Sequence, residues 1–255
     1  MKNLTGIILA VAFPFLIFSQ EKGAIGIEFN SNFNTINTLE LDKSYDRLSE
    51  ELPANTTLLR REKMERGLDF GLNLNYQLNQ FFNIGIYSKY AQAKSANEYR
   101  TIDDSGVFMN LPIDTAYYVN TYSMINSIVG IYSDFSINNF AFWPTDNWLS
   151  RIESKIILGA GYSHSKFIKS TDQNLSEGFF GEVNPVSGIH LMGNLKLGYK
   201  ISRNPVFSSV GIQLGYQSLM TRHLKGDALI TFKENESPRL NFSGFTTGLY
   251  LIFGK

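Results

Sequence analysis

The sequence predicts an all-β fold, namely an eight-stranded antiparallel up-and-down transmembrane β-barrel. Three observations support this prediction. Apolar and polar residues alternate in eight separate segments, and these segments are joined by long and short connections in turn. Beyond the N-terminal region, no segment offers the ~18 consecutive apolar residues of a transmembrane helix. The chain has 255 residues, no cysteine and no net charge, and its length suits a single β-barrel domain.

The N-terminus predicts a secretory signal peptide over residues 1–19, followed by the barrel domain over residues 20–255. Lys2 supplies the positive charge, an apolar run follows, and Ser19 is a small residue suited to cleavage before Gln20. The apolar run is shorter than the roughly 20 residues that a membrane-anchoring helix needs. We therefore expect export through the inner membrane with removal of the signal peptide.

The clearest strand is predicted over residues 68–78, LDFGLNLNYQL. Every even position in it is apolar, and every odd position is polar or glycine. Because successive side chains of a β-strand point to opposite faces, this segment has one apolar face and one polar face. The same alternation predicts seven further strands, which include residues 25–29, 84–90, 122–135, 152–163, 189–201, 209–217 and 244–253.

The predicted connections alternate in length. Those after the second and sixth strands are tight turns at residues 79–81 and 202–205. In the connection after the first strand, apolar residues recur at helical spacing before Pro53 and predict a short amphipathic helix. The connections after the first, third, fifth and seventh strands are long and polar, at residues 34–63, 94–117, 166–184 and 221–239.

The connection over residues 136–150 is the exception, because it is long where the alternation requires a short turn. It contains Trp143, Pro144 and Trp148, and the sequence leaves its role open. Otherwise, an even number of strands with short turns at one end and long loops at the other is the pattern of a bacterial outer-membrane barrel. A sheet in lipid must close on itself, since every backbone N–H and C=O has to be paired within the protein.

The mature chain, residues 21–255, resembles the OmpX, OmpA and PorT-like superfamily of eight-stranded outer-membrane barrels. Its last predicted strand, GFTTGLYLIF, resembles the barrel-assembly signal of that group, with alternating apolar residues and the near-terminal aromatic Phe253. Here Gly254 and Lys255 follow that aromatic, which departs from the pattern of the group. The resemblance implies insertion into the outer membrane of a Gram-negative cell envelope by barrel-assembly machinery. It implies no particular activity.

If the apolar face meets lipid, the opposite face gives the barrel a charged interior. Buried charges persist only when they are paired, so the sequence predicts a salt-bridged interior that plugs a narrow lumen. A selective ion path lined by the same groups is the alternative. Inward glycines make room for Tyr87, Tyr132 and Tyr250. The predicted interior charges are Glu28, Asp69, Asp134 and Glu153, with Lys89, Lys155, Lys196 and Lys200.

Two groups of residues predict contacts with the membrane surface. Aromatic residues near strand ends predict the girdles that mark both lipid–water interfaces of such barrels. A basic cluster before the second strand predicts a contact with lipopolysaccharide phosphates, although the interleaved Glu62 and Glu65 fit a merely solvated stretch equally well. The aromatic residues are Phe33, Tyr76, Tyr90, Tyr162, Tyr199, Tyr216 and Phe253, and the basic ones are Arg60, Arg61, Lys63 and Arg66.

No catalytic motif, cofactor site or metal site is predicted. His190 falls on the inward face as a buried hydrogen-bonding residue. His164 lies beside Ser163 and Ser165 with Asp172 in the following loop, and it supplies the one candidate for a lipid-modifying enzyme. The absence of cysteine excludes thiolate metal sites, and the balanced charge gives no reason to expect nucleic acid.

The sequence therefore favours a non-enzymatic outer-membrane barrel in contact with outer-membrane lipid and lipopolysaccharide. Its long loops would carry the role, which is adhesion, partner binding or envelope assembly, and the partner of the loops is not indicated. The alternatives are a lipid-modifying enzyme, a narrow channel and a soluble lipocalin-like ligand carrier, which would need its apolar face inside.

Overall fold

The structure, a computed structural model, describes residues 25–36, 54–79, 81–103, 114–139, 148–173, 179–201, 207–223 and 239–253. The predicted signal peptide and the predicted helix before Pro53 lie outside these ranges. Among the residues described, no helix is long and apolar enough to cross a membrane.

The described residues form ten strands and two short 3₁₀ turns. The strands are β1 (Ile25–Thr35), β2 (Thr56–Arg61), β3 (Arg66–Gln77), β4 (Phe82–Asp103), β5 (Asp114–Ser136), β6 (Ile152–Gln173), β7 (Phe179–Lys200), β8 (Phe207–His223), β9 (Arg239–Asn241) and β10 (Gly244–Phe253). The 3₁₀ turns, Ile137–Asn139 and Trp148–Arg151, lie between β5 and β6.

Eight of these strands close into an antiparallel barrel. The order is β1-β3-β4-β5-β6-β7-β8-β10, and the barrel closes because β10 pairs with both β8 and β1. The two remaining strands lie outside this ring, where β2 pairs with the far part of β4 and β9 pairs with the end of β8. This topology confirms the predicted fold class of an eight-stranded antiparallel barrel.

The pairing register makes the barrel staggered. Paired residues followed once around the barrel from Ile25 lead to Phe245. The backbone N–H of Phe245 donates to the side chain of Thr35, ten residues further along β1 than the starting point. Such a stagger tilts the strands against the barrel axis, and at eight strands the interior is only wide enough for side chains to fill.

Strands β4 to β7 extend well beyond the segments that alternation predicted. They contain 22, 23, 22 and 22 residues, whereas about 9–11 residues suffice to cross a bilayer. Pairing continues to Asp103 opposite Asp114 and to Thr171 opposite Phe179. The predicted loops over residues 94–117 and 166–184 are therefore wrong in extent. Outside lipid, the outward face of a strand need not be apolar, so the alternation fades although the sheet continues.

Candidate functional site: the barrel interior and its rims

The outer surface of the barrel is apolar, and its interior is polar. Ile131 and Leu249 are 68% and 64% exposed, whereas Asp69 and Asn126 are fully buried. A water-soluble barrel has the opposite arrangement, and this one is the chemistry of a surface that faces lipid. We call the outward set the apolar belt, which includes Leu68, Phe70, Ile84, Ile86, Val129, Ile131, Leu158, Leu191, Ile212, Leu214 and Leu249.

Aromatic side chains border the apolar belt at both ends. The turn-side rim, where β1 begins, carries Tyr76, Phe135, Tyr199 and Phe253 at or next to strand ends. At the opposite, loop-side rim, the rings of Tyr216 and Phe245 lie 5.5 Å apart, edge to face. The loop-side rim also carries Phe33, Tyr90 and Tyr162, all exposed. On the long strands β4 and β6, most outward residues after Tyr90 and Tyr162 are polar.

Two buried ion pairs lie inside the barrel. Lys196 of β7 pairs with Glu28 of β1, and Lys89 of β4 pairs with Asp69 of β3 at 3.0 Å. All four side chains are at most 5% exposed. The Glu28 carboxylate also accepts a hydrogen bond of 2.7 Å from Asn73 in this region shielded from water.

The other predicted interior charges lie nearer the turn-side rim. Lys155 pairs with Glu153 of the same strand at 2.5 Å, and Asp134 accepts a hydrogen bond of 2.6 Å from Asn83. Lys200 is exposed at the rim itself. The structure thus places seven of the eight predicted charged side chains in the interior.

An asparagine ladder on β1 connects the two buried ion pairs. The Asp69 carboxylate accepts from the amides of both Asn32 and Asn34, the latter at 2.7 Å. Asn32 donates to Asn30 at 3.3 Å, and Asn30 donates to Glu28 at 3.5 Å. Amides both donate and accept, so they satisfy carboxylate oxygens without adding charge. These asparagines were not predicted to form a network, although they recur at every second position of the sequence.

His190 belongs to a second chain of hydrogen bonds inside the barrel. Gln217 Oε1 accepts from Lys89 Nζ at 3.2 Å and lies 3.3 Å from His190 Nε2. Nε2 must therefore be the donor, which leaves Nδ1 of a neutral imidazole to accept the Tyr87 hydroxyl at 2.8 Å. His190 is fully buried and lies beside the Lys89–Asp69 pair. Its two ring nitrogens link Tyr87 to Gln217.

The interior also contains an apolar cluster that the sequence analysis missed. Its buried members include Met124, Ile128, Ile157, Phe167 and Leu219. They occupy the inward face, for which the sequence predicted charged residues, glycines and tyrosines. A signal was present in the sequence, because Met124, Ile128 and Ile157 each adjoin an outward apolar residue and two successive apolar residues place one side chain on each face. Together with the polar network, this cluster fills the lumen.

The predicted basic cluster is only partly directed outward. Arg60 contacts Glu62 at 3.1 Å and Glu98 at 3.6 Å, and Arg61 lies on β2. Lys63 is exposed between β2 and β3. Arg66, in contrast, starts the outward face of β3 above the loop-side rim.

Further cations share the outward face with Arg66. Lys94 of β4 follows the Gly67–Ala93 pair directly, so it lies beside Arg66, and both are exposed. Lys166 is exposed on the outward face of β6. Lys94 and Lys166 were not predicted to lie on this face, because both fell in predicted loops.

The candidate catalytic residues do not come together. His164 is exposed on the outward face of β6, whereas Ser163 and Ser165 are fully buried on the inward face. Successive strand residues point apart, so this histidine cannot act as a base on either serine. Asp172 lies within β6 and not in the following loop. Within the described ranges, no three histidine, aspartate or glutamate side chains are grouped to hold a metal ion.

Comparison with known proteins gave similar structures only. No protein-family model and no curated protein matches the chain. It is similar to the outer membrane protein OprG of Pseudomonas aeruginosa, with 10% identity over 93% of this chain and 100% of that one, and a TM-score of 0.41. It is also similar to Ail, the attachment invasion locus protein of Yersinia pestis, in complex with the heparin analogue sucrose octasulfate (11% identity, 91% and 100% covered, TM-score 0.38).

A third similar structure is Neisserial surface protein A (NspA), with 10% identity over 91% of this chain and 99% of that one, and a TM-score of 0.33. At identities and TM-scores this low, the similarities carry no argument about activity or partners.

Proposed function

We propose that this chain is an integral outer-membrane barrel whose plugged interior serves stability and whose loop-side extension carries its biological role. The observation that carries the proposal is the inside-out distribution of polarity, with exposed aliphatic side chains around a buried network of charges and amides. A soluble lipocalin-like carrier would place its apolar face inside. In outer-membrane barrels the short turns face the periplasm, so the extension formed by β4 to β7 projects from the cell.

Fractionation tests the membrane location. Cells that express the full chain are broken, and their membranes are washed with high salt and with urea before extraction with detergent. We expect the protein to stay in the membrane pellet until detergent is added, because exposure of its apolar belt to water is unfavourable. Recovery in the soluble periplasmic fraction without detergent would overturn the proposal and would favour the ligand carrier.

The extension is proposed to act in adhesion or partner binding without catalysis. The β4–β5 hairpin reaches far beyond the loop-side rim, and its strands remain paired to Asp103 and Asp114. Such a paired sheet presents a rigid surface away from the membrane. Replacing residues 97–120 by a short turn preserves the pairing register of the remaining parts of β4 and β5, since Ala96 pairs with Thr121.

We expect cells that express the shortened chain to retain it in the membrane. These cells should no longer aggregate with one another or attach to surfaces. His164→Ala tests the enzymatic alternative in the same strain. A change in lipid A acylation on His164→Ala, with membrane insertion unaffected, would argue for a lipid-modifying enzyme and against our proposal.

Lipopolysaccharide is the second proposed contact, because Arg66 and Lys94 stand side by side on the outward face above the aromatic rim. Exposed cations at this height suit the phosphates of the outer-leaflet lipid. Arg66→Gln combined with Lys94→Gln should reduce the lipopolysaccharide that co-purifies with the protein, whereas Arg60→Gln should not, because Arg60 is engaged by two glutamates. Equal retention by all three proteins would refute this contact.

A further inference from the structure

The long connection after β5 is anchored to the barrel at both of its described ends. The backbone N–H of Ser136 donates to Phe81 at 2.9 Å. The Asn138 side-chain amide donates to the carbonyl of Ile152 and accepts from the backbone N–H of Ser154. It thus pairs with the start of β6 as the backbone of a neighbouring strand would. The 3₁₀ turns at the two ends of this connection are therefore held against the turn-side rim.

The second of these turns presents an aromatic and a cationic side chain at that rim. Trp148 is 66% exposed, and Arg151 ends the same turn. Arg151 Nη1 donates a hydrogen bond of 2.9 Å to the hydroxyl of Tyr199, one of the rim aromatics. In the described part of this rim, the exposed charged side chains are Arg151 and Lys200, and both are positive.

We infer that Trp148, Arg151 and Tyr199 form a binding site for the phosphate headgroup of a phospholipid in the leaflet at the turn-side rim. This inference rests on the proposed membrane insertion. A guanidinium has five donors in a fixed planar arrangement that matches phosphate oxygens, and the Tyr199 hydroxyl accepts only one of them. Indole is apolar on its faces and polar at its N–H, which suits the boundary between acyl chains and headgroups.

The apolar belt identifies a lipid as the occupant. Leu195 and Leu197 are exposed on the same face of β7 as Tyr199, so the site continues directly into the surface that meets acyl chains. A phospholipid satisfies both parts at once, with its phosphate on Arg151 and its chains along β7. The described end of the connection, Trp148–Arg151, therefore lies where the headgroups of such a leaflet would be.

Tryptophan fluorescence tests the position of the connection. The chain has only Trp143 and Trp148, so Trp143→Phe leaves Trp148 as the single reporter. The protein is folded into phosphatidylcholine vesicles whose acyl chains are brominated either near the headgroup or near the chain end. We expect stronger quenching by bromine near the headgroup. Quenching by aqueous iodide with none by brominated lipid would overturn the inference and would favour a soluble periplasmic partner.

Native mass spectrometry tests the phosphate contact. The protein is folded into phosphatidylcholine nanodiscs containing phosphatidylglycerol and transferred to detergent, and the retained phospholipid is counted. We expect Arg151→Gln to retain several-fold less phosphatidylglycerol than the wild type and Arg151→Lys an intermediate amount. Arg60→Gln is the matched control, because Arg60 is an exposed arginine on β2, beyond the loop-side rim. This variant should retain the wild-type amount of phosphatidylglycerol.

Equal retention by Arg151→Gln and the wild type would overturn the site even if the protein is fully inserted. Tyr199→Phe keeps the ring and removes the hydroxyl, so it separates the positioning of Arg151 from the packing of the rim and should retain less lipid than the wild type. Recovery of the protein without detergent would refute the membrane location itself. Equal lipid retention by a protein that does need detergent would refute only the phosphate site.

Discussion

Lys196 and Glu28 form an ion pair across the interior of the barrel, although 168 residues separate them in the chain. Their strands, β7 and β1, are not neighbours in the sheet. The two side chains are only 1% and 3% exposed. The pair therefore links distant parts of the barrel in a region where neither charge has access to water.

Removal of one partner should cost more than removal of both. We expect Lys196→Ala to lower the free energy of unfolding by roughly 3–5 kcal/mol, because it leaves the Glu28 carboxylate buried without its cation. The double variant Glu28→Gln, Lys196→Met should be less destabilised, since neither buried charge remains. Urea titrations of the protein folded in detergent micelles measure both values.

Lys200→Ala is the control for this comparison, because Lys200 is an exposed lysine of the same strand. It should change the stability by less than about 0.5 kcal/mol. A Lys196→Ala protein as stable as the wild type would contradict the buried ion pair.

A charge on the apolar belt should be far more costly than the same charge beyond it. Ile131 and Tyr117 both lie on the outward face of β5 and are 68% and 48% exposed, but only Ile131 lies in the belt. Ile131→Arg should cost roughly 2–4 kcal/mol if the position is near the bilayer midplane. Tyr117→Arg should be nearly neutral. Refolding titrations in lipid vesicles that rank the two variants equally would argue against lipid at this surface.

Two glycines on neighbouring strands should respond differently to the same added methyl group. A Cβ on the inward Gly159 would lie 2.6 Å from the end of the Met192 side chain, whereas a Cβ on the outward Gly193 finds its nearest atom, in Leu158, at 3.6 Å. We expect Gly159→Ala to cost roughly 1–3 kcal/mol through overpacking and Gly193→Ala to cost little.

Thermal unfolding in detergent provides the measurement for the two glycine variants. The cost of Gly159→Ala should shrink but not vanish in a Met192→Ala background, because the Met192 atoms are then gone whereas the Cβ of Tyr132, 3.2 Å from the added Cβ, remains. An unchanged cost there would mean that the destabilisation has another origin.

The barrel should be closed to ions. A cavity in the described interior, bordered by Lys89, Asn194 and Lys196, measures about 10 Å³, roughly the volume needed for one water molecule. Freeing a charge from the network is costly, since its partner stays buried. Purified protein in a planar bilayer should show no sustained conductance, and Lys196→Ala should lose stability before it opens a pore. A stable open channel whose ion selectivity shifts on Lys196→Glu would promote the transport alternative.

Within the segments where it is present, the alternation of residues assigned the two faces of the strand correctly. Leu68 and Phe70 are exposed, and Asp69 between them is fully buried, as the spacing predicted. Side-chain direction in a strand is a local property, because each peptide unit turns the next side chain to the other face. The number of strands and the closed topology followed from the same pattern, since a sheet in lipid tolerates no open edge.

The partner of Glu28 was decided only by the closed barrel. Asp69 pairs with Lys89 on the adjacent strand, and Glu28 finds Lys196 on a strand that is remote in sequence. The Glu28–Lys196 pair depends on the stagger of the sheet, which is set when β10 pairs with β1 and which no local pattern records. The Asp69–Lys89 pair follows instead from the register of the adjacent strands β3 and β4. The separation of His164 from Ser163 and Ser165 was already implied by alternation. The length of β4 to β7 was not, because beyond the lipid a strand holds its place by pairing with its neighbours and its outward residues are free to be polar.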